Sequence, residues 1–262
     1  MTQKNTVVLL TDFGHRDGYV GVMKGVIAGI APEAKIIDLS HDIPPQDIDA
    51  AKFVLWRHYR FFPKGTIFCC VVDPGVGTSR KILALEAEGY YFLAPDNGLL
   101  DFVMAEAKLK LMMEVENPVV MLPNQSNSFH GRDIFAPAAA HLAAGFLFTQ
   151  LGPIADFTLP PSPWCIPKEA GAFSLKIMHV DHYGNIITNL KLDSLSPSLK
   201  VAEIRIGNAM IEGLAHSYGS VEEGDWLAFE ASHGLLEVAV RNGSAYQQYG
   251  GKFFSNLSVK VL

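Results

Sequence analysis

Residues 66–80 read TIFCCVVDPGVGTSR. From Ile67 to Val72 every side chain is apolar, with no polar alternation, which marks a strand covered on both faces. Two-sided cover calls for helices above and below, and so for a mostly parallel sheet. At Asp73 the character changes. Asp73-Pro74 stops the strand, Gly75 and Gly77 permit tight turns that expose N–H groups, and Arg80 closes the loop before the next apolar run. This spacing places Asp73 and Arg80 at the two mouths of a returning hairpin.

Working outward, VVLLT (7–11), KIIDL (35–39), ILALEA (82–87) and YYFLA (90–94) read as further strands. Between the first two, Val20, Met23, Ile27 and Ile30 keep helical spacing and end at Ala31-Pro32. A second helix is predicted over IDAAKFVLWRHYRFF (48–62), with Asp47 and Asp49 near its positive end. A third covers RDIFAPAAAHLAAGF (132–146), where Pro137 belongs in the first turn or kinks the helix. This alternation predicts an α/β domain over residues 1–158, built on a doubly wound, mostly parallel sheet. LPPSPWCIP (159–167) is proline-rich and opens a linker predicted over 159–172. Beyond it only strand patterns follow: SLKIMHV (174–180), NIITNL (185–190), VAEIRIG (201–207), DWLAFEA (225–231), LLEVAV (235–240) and FFSNLSVKVL (253–262). They predict a smaller, barrel-like all-β domain over 173–262.

With 49% hydrophobic and 18% charged residues, the composition is that of a globular chain and not of a disordered one. A net charge of −6 and no lysine/arginine block argue against nucleic acid or anionic membranes as partners. Cys69, Cys70 and Cys165 make no disulfide framework, because Cys69 and Cys70 are strand neighbours that point to opposite faces. They suit a reduced, cytoplasmic setting. The start MTQKNTVVLLTDFG does not read as a signal peptide, and AAAHLAAGFLF (138–148) is too short to cross a bilayer.

In an open α/β sheet, ligands bind beyond the carboxyl ends of the strands. Asp12 follows VVLLT and Asp73 follows TIFCCVV, so parallel strands would put both carboxylates on one rim. Taken singly, either also reads as a helix cap or a loop-stabilising aspartate. An arginine beside Asp73 would orient the carboxylate. The loop matches neither a Walker pattern nor a dinucleotide fingerprint. His130, in SNSFHGRDIFAP (126–137), lies in a polar loop just before a helix, where ligands often sit. Together, an aspartate, an arginine and a histidine could bind a water and deprotonate it.

LTDFGHRDGYVGVMKG, HDIPPQDI, FFPKGT, VVDPGVGTSRK, APDNGLL, FHGRDIFAPAAAHLA, VDHYGNIITN and the RNG after LLEVAV resemble the S-adenosyl-L-methionine hydroxide adenosyltransferase family, hydrolytic relatives of fluorinase and chlorinase. The resemblance runs across nearly the whole chain. It implies hydrolysis of S-adenosyl-L-methionine at ribose C5′ to adenosine and L-methionine, with no cofactor. It also implies a homotrimer whose active sites lie between the N-terminal domain of one subunit and the C-terminal domain of the next. Carried over by position, it makes Asp73, Arg80 and His130 a water-activating triad, with Asp73 and His130 accepting hydrogen bonds from the water. Asp12 would bind the ribose hydroxyls, with Asp17 and Tyr19 in the same loop and Phe129 beside them. Asp181 and Asn185 would hold the methionine end, with Tyr183 against the ligand. Tyr218, Ser232, His233, Arg241 and Asn242 would enclose the adenine and methionine ends. Where fluorinase has a tyrosine and a threonine around its halide, this chain has Asp73 and Val76; His130 replaces another tyrosine, and Gln46 a tryptophan. A carboxylate repels a halide but accepts a hydrogen bond from water.

Two rivals stay open at this level. One is a metal-dependent hydrolase with Asp12, Asp73, Asp96 and His130 as ligands, although no metal-binding spacing supports it. The other is a non-catalytic S-adenosylmethionine sensor.

Overall fold

A computed structural model describes residues 6–251 and 257–262. The chain divides into two units, residues 1–162 and 163–262, with the boundary inside the proline-rich stretch.

In the first unit the elements run β1 (Thr6–Thr11), α1 (Tyr19–Ile30), β2 (Lys35–Ser40), α2 (Ile48–His58), β3 (Ile67–Val71), β4 (Ile82–Ala87), β5 (Tyr90–Pro95), α3 (Asp101–Glu106), β6 (Leu109–Glu114) and α4 (Ala136–Ala143). One six-stranded sheet has the order β2-β1-β3-β5-β4-β6. β1 pairs in parallel with β2 and β3, and β3 with β5; only β4 runs against its neighbours. Strand alternation splits the core in two. Val7, Leu9 and Cys69 pack with Met23 and Ile27 of α1 and the alanines of α4. Val8, Leu10 and Cys70 pack with Leu55 of α2 and Val103 of α3 on the other face. The neighbouring thiols do point opposite ways, and burial pushes that of Cys69 up to about 12.

The loop 73–80 is not a hairpin, because β5 lies between β3 and β4. Ile82 pairs with Pro95 at the carboxyl end of β5, so the loop crosses over that end. Strands sit about 4.8 Å apart, and an eight-residue loop easily spans two such spacings. Loop length alone could not distinguish adjacent strands from strands one apart.

Before α4, residues Gly131–Phe135 form a π-helical turn, in which Ala136 N–H donates to the Gly131 carbonyl. Pro137 does occupy the first turn of α4. Having no N–H, it cannot donate to the Asp133 carbonyl one turn back. The N–H of Leu122 donates there instead (2.9 Å), tying the preceding segment to the turn.

The second unit contains β7 (Gly171–Ser174), β8 (Ile177–Val180), β9 (Ile186–Lys191), β10 (Val201–Ile206), β11 (Ala209–Glu212), β12 (Trp226–Glu230), β13 (Leu235–Val240), α5 (Ala245–Gln248) and β14 (Leu257–Val261). Its strands form two antiparallel sheets, β11-β10-β14-β7 and β12-β13-β9-β8. Both contribute to one core, Ile204, Ile206 and Val259 from the first meeting Ile186, Leu236 and Val238 from the second. SLKIMHV is not one strand: β7 and β8 belong to different sheets, and the chain crosses at Leu175-Lys176. The linker is likewise no free tether. Cys165 exchanges backbone hydrogen bonds with Asn189 and Lys191, fixing it along β9. Residues 253–256 of the last predicted strand lie outside the described residues. No described helix is long and apolar enough to cross a membrane.

Gly77 shows how tightly two loops of the first unit meet. Its φ of 78° lies in the left-handed region, and a Cβ there would come within 2.3 Å of the Asn127 carbonyl oxygen. Gly14 is also left-handed (φ 61°) but faces open space. Each alanine substitution carries a backbone cost of about 1–2 kcal/mol. Gly77→Ala should cost at least about 1 kcal/mol more, the scale of overpacking. Urea denaturation of both variants checks this, and equal losses would mean the loops part freely.

Candidate active site

Along the sheet, chain order reverses at β1, whose neighbours are β2 on one side and β3 on the other. That switch point is where ligands bind in open α/β sheets. Thr11 pairs with Val71 in register, so Asp12 and Asp73 both emerge just beyond the carboxyl ends of adjacent strands. Asn97 Nδ2 donates to the Val72 carbonyl (2.9 Å) and anchors the exit of β3.

Arg80 Nε lies 3.0 and 2.9 Å from the two oxygens of Asp73, and Nη2 donates to Oδ2 at 2.5 Å. The same Nη2 donates to His130 Nδ1 (2.8 Å). Both members of the ion pair are nearly buried, with side-chain exposures of 10% for Arg80 and 5% for Asp73. The Phe135 ring stands 5.8 Å from the guanidinium carbon. A guanidinium has no acceptor, so His130 Nδ1 carries no proton, and a neutral ring keeps its proton on Nε2. Burial, then the charge of Arg80, depress the His130 pKa, while Asp73, Asp133 and the Ser126 carbonyl draw it partly back. The ring is therefore set as a donor at Nε2. The expectation that His130 accepts a hydrogen bond from the water does not fit this geometry; among the three, the acceptor is Asp73.

Asp12, Tyr19, Gln46, Asp73 and Val76 line a pocket of about 350 Å³ in the first unit. Asp12 Oδ2 accepts from the N–H of Gln46 (2.8 Å), whose backbone is left-handed at φ 65°. Tyr19 packs on Phe13 and Phe129, ring centroids 5.8 and 5.2 Å away. Asp17 is exposed on the same loop and is not part of the pocket wall.

Tyr183, Asn185, Tyr218 and Asn242 line a separate pocket of about 550 Å³ in the second unit. Asn185 Nδ2 donates to Asp181 Oδ2 and to the Tyr218 hydroxyl, both at 3.0 Å. Tyr218 in turn donates to Glu237 Oε1 (2.6 Å). The amide is thus oriented, and its Oδ1 is left outside this chain of bonds. Asp181 also accepts from the backbone N–H groups of Tyr183 and Asn185. Its oxygens organise the loop rather than face the pocket. Arg241 donates to the Val221 carbonyl (2.6 Å) and likewise does not line the pocket. Ser232 and His233 sit in the turn before β13, whereas Asn242 follows its other end. Six strand residues span about 20 Å, so within this unit they are not brought to the pocket of Asn242. Glu237 was not singled out from the sequence. An isolated glutamate inside the apolar run LLEVAV is the signal that could have flagged it.

Among the described residues no three His, Cys, Asp or Glu side chains are grouped so as to hold a metal. Arg80 stands between Asp73 and His130, the place a shared ligand position would need.

Two family models match the chain: the SAM hydroxide adenosyltransferase N-terminal domain over residues 7–152 and its C-terminal domain over 175–257. The chain belongs to the SAM hydroxide adenosyltransferase family. It is 37% identical to the (R)-S-adenosyl-L-methionine hydrolase of Thermus thermophilus over 254 residues, covering 94% of this chain and 96% of that protein. The (R)-S-adenosyl-L-methionine hydrolase of Salinispora arenicola is also 37% identical, over 90% of each chain. The fluorinase of Actinoplanes sp. is 30% identical over 70% of this chain and 71% of its own. An uncharacterized conserved protein of Thermotoga maritima, solved by crystallography, superimposes with a TM-score of 0.87 at 35% identity, covering 97% of this chain and 99% of that one.

In this family member the Arg80–His130 contact predicts a titration. A depressed pKa keeps the ring neutral down to lower pH than the ordinary 6.5. The linked stability is complete above the unfolded value and is lost as pH falls below it. Removing the cation in Arg80→Gln should shift the His130 titration to higher pH, read from its imidazole NMR signals. An unchanged or lower midpoint would show that Arg80 adds nothing to the effect of burial.

Proposed function

We propose that this chain hydrolyses S-adenosyl-L-methionine to adenosine and L-methionine, acting on the R sulfonium that names its relatives. The observation that carries the reading is the Arg80-bridged Asp73 and His130 beyond β3, beside a pocket that also holds Asp12. Water attacks the ribose C5′ in line with the C–S bond, the new C–O bond forms, and sulfur leaves with the bonding pair as a neutral thioether. The leaving group needs no proton. The attacking water must lose one, and the Asp73 carboxylate is the group placed to receive it. Arg80 fixes the direction of that carboxylate, and His130 buttresses Arg80 from the other side. A positioned base contributes roughly 10²–10⁴-fold; alignment and exclusion of bulk water supply the remainder. Asp12 accepts from the ribose hydroxyls while Tyr19 and Phe129 wall the sugar.

We further propose a homotrimer in a reduced, cytoplasmic setting, with each site completed by the second unit of a neighbouring subunit. Neither pocket alone carries both the Asp73 group and the Asn185–Tyr218 group, and the substrate needs both. In that arrangement Tyr183, 75% exposed, stacks on the ligand and Asn185 offers its free oxygen.

Incubation in ¹⁸O-water, followed by mass spectrometry, should place the label on the 5′ oxygen of adenosine. Asp73→Asn should lower kcat at least about 10²-fold, the low end for a lost base, with binding within a few-fold. Substrate returned intact by the wild type would make the protein a sensor instead of an enzyme. For the assembly, subunits carrying Asp73→Asn mixed with subunits carrying Tyr183→Ala should recover part of the activity. No recovery after verified subunit exchange would reject the shared site.

A further inference from the structure

Two polar side chains lie buried directly behind Asp12. Thr11, the last residue of β1, has no exposed surface, and His41, just past β2, is 1% exposed. Thr11 Oγ1 is 2.8 Å from His41 Nδ1. His41 Nε2 is 3.0 Å from Asp38 Oδ1, and Lys24 Nζ donates to Asp38 Oδ2 (2.6 Å). At the other end the N–H of Phe13 donates to Thr11 Oγ1 (3.2 Å). One proton assignment fits the series, in which the His41–Asp38 approach is an ion-pair distance and not an aligned hydrogen bond. Lys24 can only donate, so Asp38 Oδ2 accepts from it, and His41 turns Nε2–H toward the carboxylate in an electrostatic contact. Nδ1 is then bare and takes the Thr11 hydroxyl proton, which leaves a Thr11 lone pair for Phe13 N–H.

The backbone is shaped to allow this. Against β1, Leu9 faces Asp38 but Leu10 faces Ser40, so Leu39 is an extra residue in β2. Such a bulge re-aims the residues after it. Two further bonds join the same segments: Gly14 N–H donates to the His41 carbonyl (2.8 Å), and Gln46 N–H to Asp12 Oδ2 (2.8 Å). The peptides flanking Asp12 and its carboxylate are thereby held from three points on residues 41–46. Stability alone does not call for buried polar groups here, since an apolar pair of the same shape would be about neutral. From the geometry we infer that Thr11 and His41 are positioning residues, a buried relay that aims the Asp12 carboxylate at the substrate's ribose. The inference rests on the proposed reading of this pocket as the S-adenosylmethionine site.

The test compares kcat/KM for S-adenosylmethionine and its 2′-deoxy analogue. Asp12→Asn should collapse the wild-type preference for the ribose. Thr11→Val, which keeps the shape and removes the hydroxyl, should raise KM about tenfold and lower that preference by a similar factor, the scale of one hydrogen bond to a charged group, while kcat changes little. Thr11→Ser should restore both. A merely structural role would lower the melting temperature without moving the preference. Thr11→Val that keeps the wild-type preference, when Asp12→Asn has lost it, overturns the relay alone. Asp12→Asn that keeps it overturns the ribose assignment and the relay together. If circular dichroism shows Thr11→Val unfolded, Asp38→Asn decides from the partly exposed end: a preference reduced at least about threefold supports the relay, and an unchanged one rejects it.

Discussion

Arg80 donates to both oxygens of Asp73 and to the bare nitrogen of His130, so one cation joins side chains carried by two separate loops. Burying such a group is costly unless every donor finds a partner. Once paired, removal of either partner strands a buried charge, at about 3–5 kcal/mol. The surrounding backbone serves this constraint. The loop 73–80 crosses the end of β5 instead of turning back on β3, which carries Arg80 over the rim. Gly77 lets that loop touch Asn127, bringing the segment with His130 within reach. Inside that segment, Asp133, fully buried, accepts from the N–H and hydroxyl of Ser126, and the Ser126 hydroxyl accepts from Phe129 N–H. A carboxylate thus builds the platform on which His130 stands.

The second unit solves a related problem with an amide and a phenol set between two acids. Asp181, Asn185, Tyr218 and Glu237 form a hydrogen-bonded series in which each polar atom constrains the next. Two acids terminate it, and between them the amide and phenol have one consistent orientation. Such networks specify geometry more sharply than packing does, because a misplaced member leaves a buried group unsatisfied.

Much of this was legible in the sequence where the cause is local. Unbroken apolar runs predicted two-sided strands, and Cys69 and Cys70 fall into opposite cores because alternation leaves no other choice. Aspartates at the ends of two such runs marked the rim. What stayed hidden depends on contacts distant in sequence. Nothing in the spacing from Asp73 to Arg80 reveals that β5 slots between β3 and β4. SLKIMHV looks like a single strand because its change of sheet is dictated by partners some eighty residues away, Leu257 for Leu175. The motif around HDIPPQ was visible as a motif, yet its work depends on Thr11, thirty residues earlier. Asp181 was marked only through the family resemblance, and the loop's own N–H groups show where its oxygens are spent.

The π turn at Gly131–Phe135 has a geometric consequence of its own. A continuous α-helix would fix His130 at one angle relative to α4, since each residue advances the spiral by about 100°. The wider turn slips one residue into that spiral and so decouples the two. Downstream, α4 keeps its alanines seated on the sheet; upstream, the reset angle presents His130 to the guanidinium. The turn behaves as a phase adjuster between a scaffold that must pack and a side chain that must point.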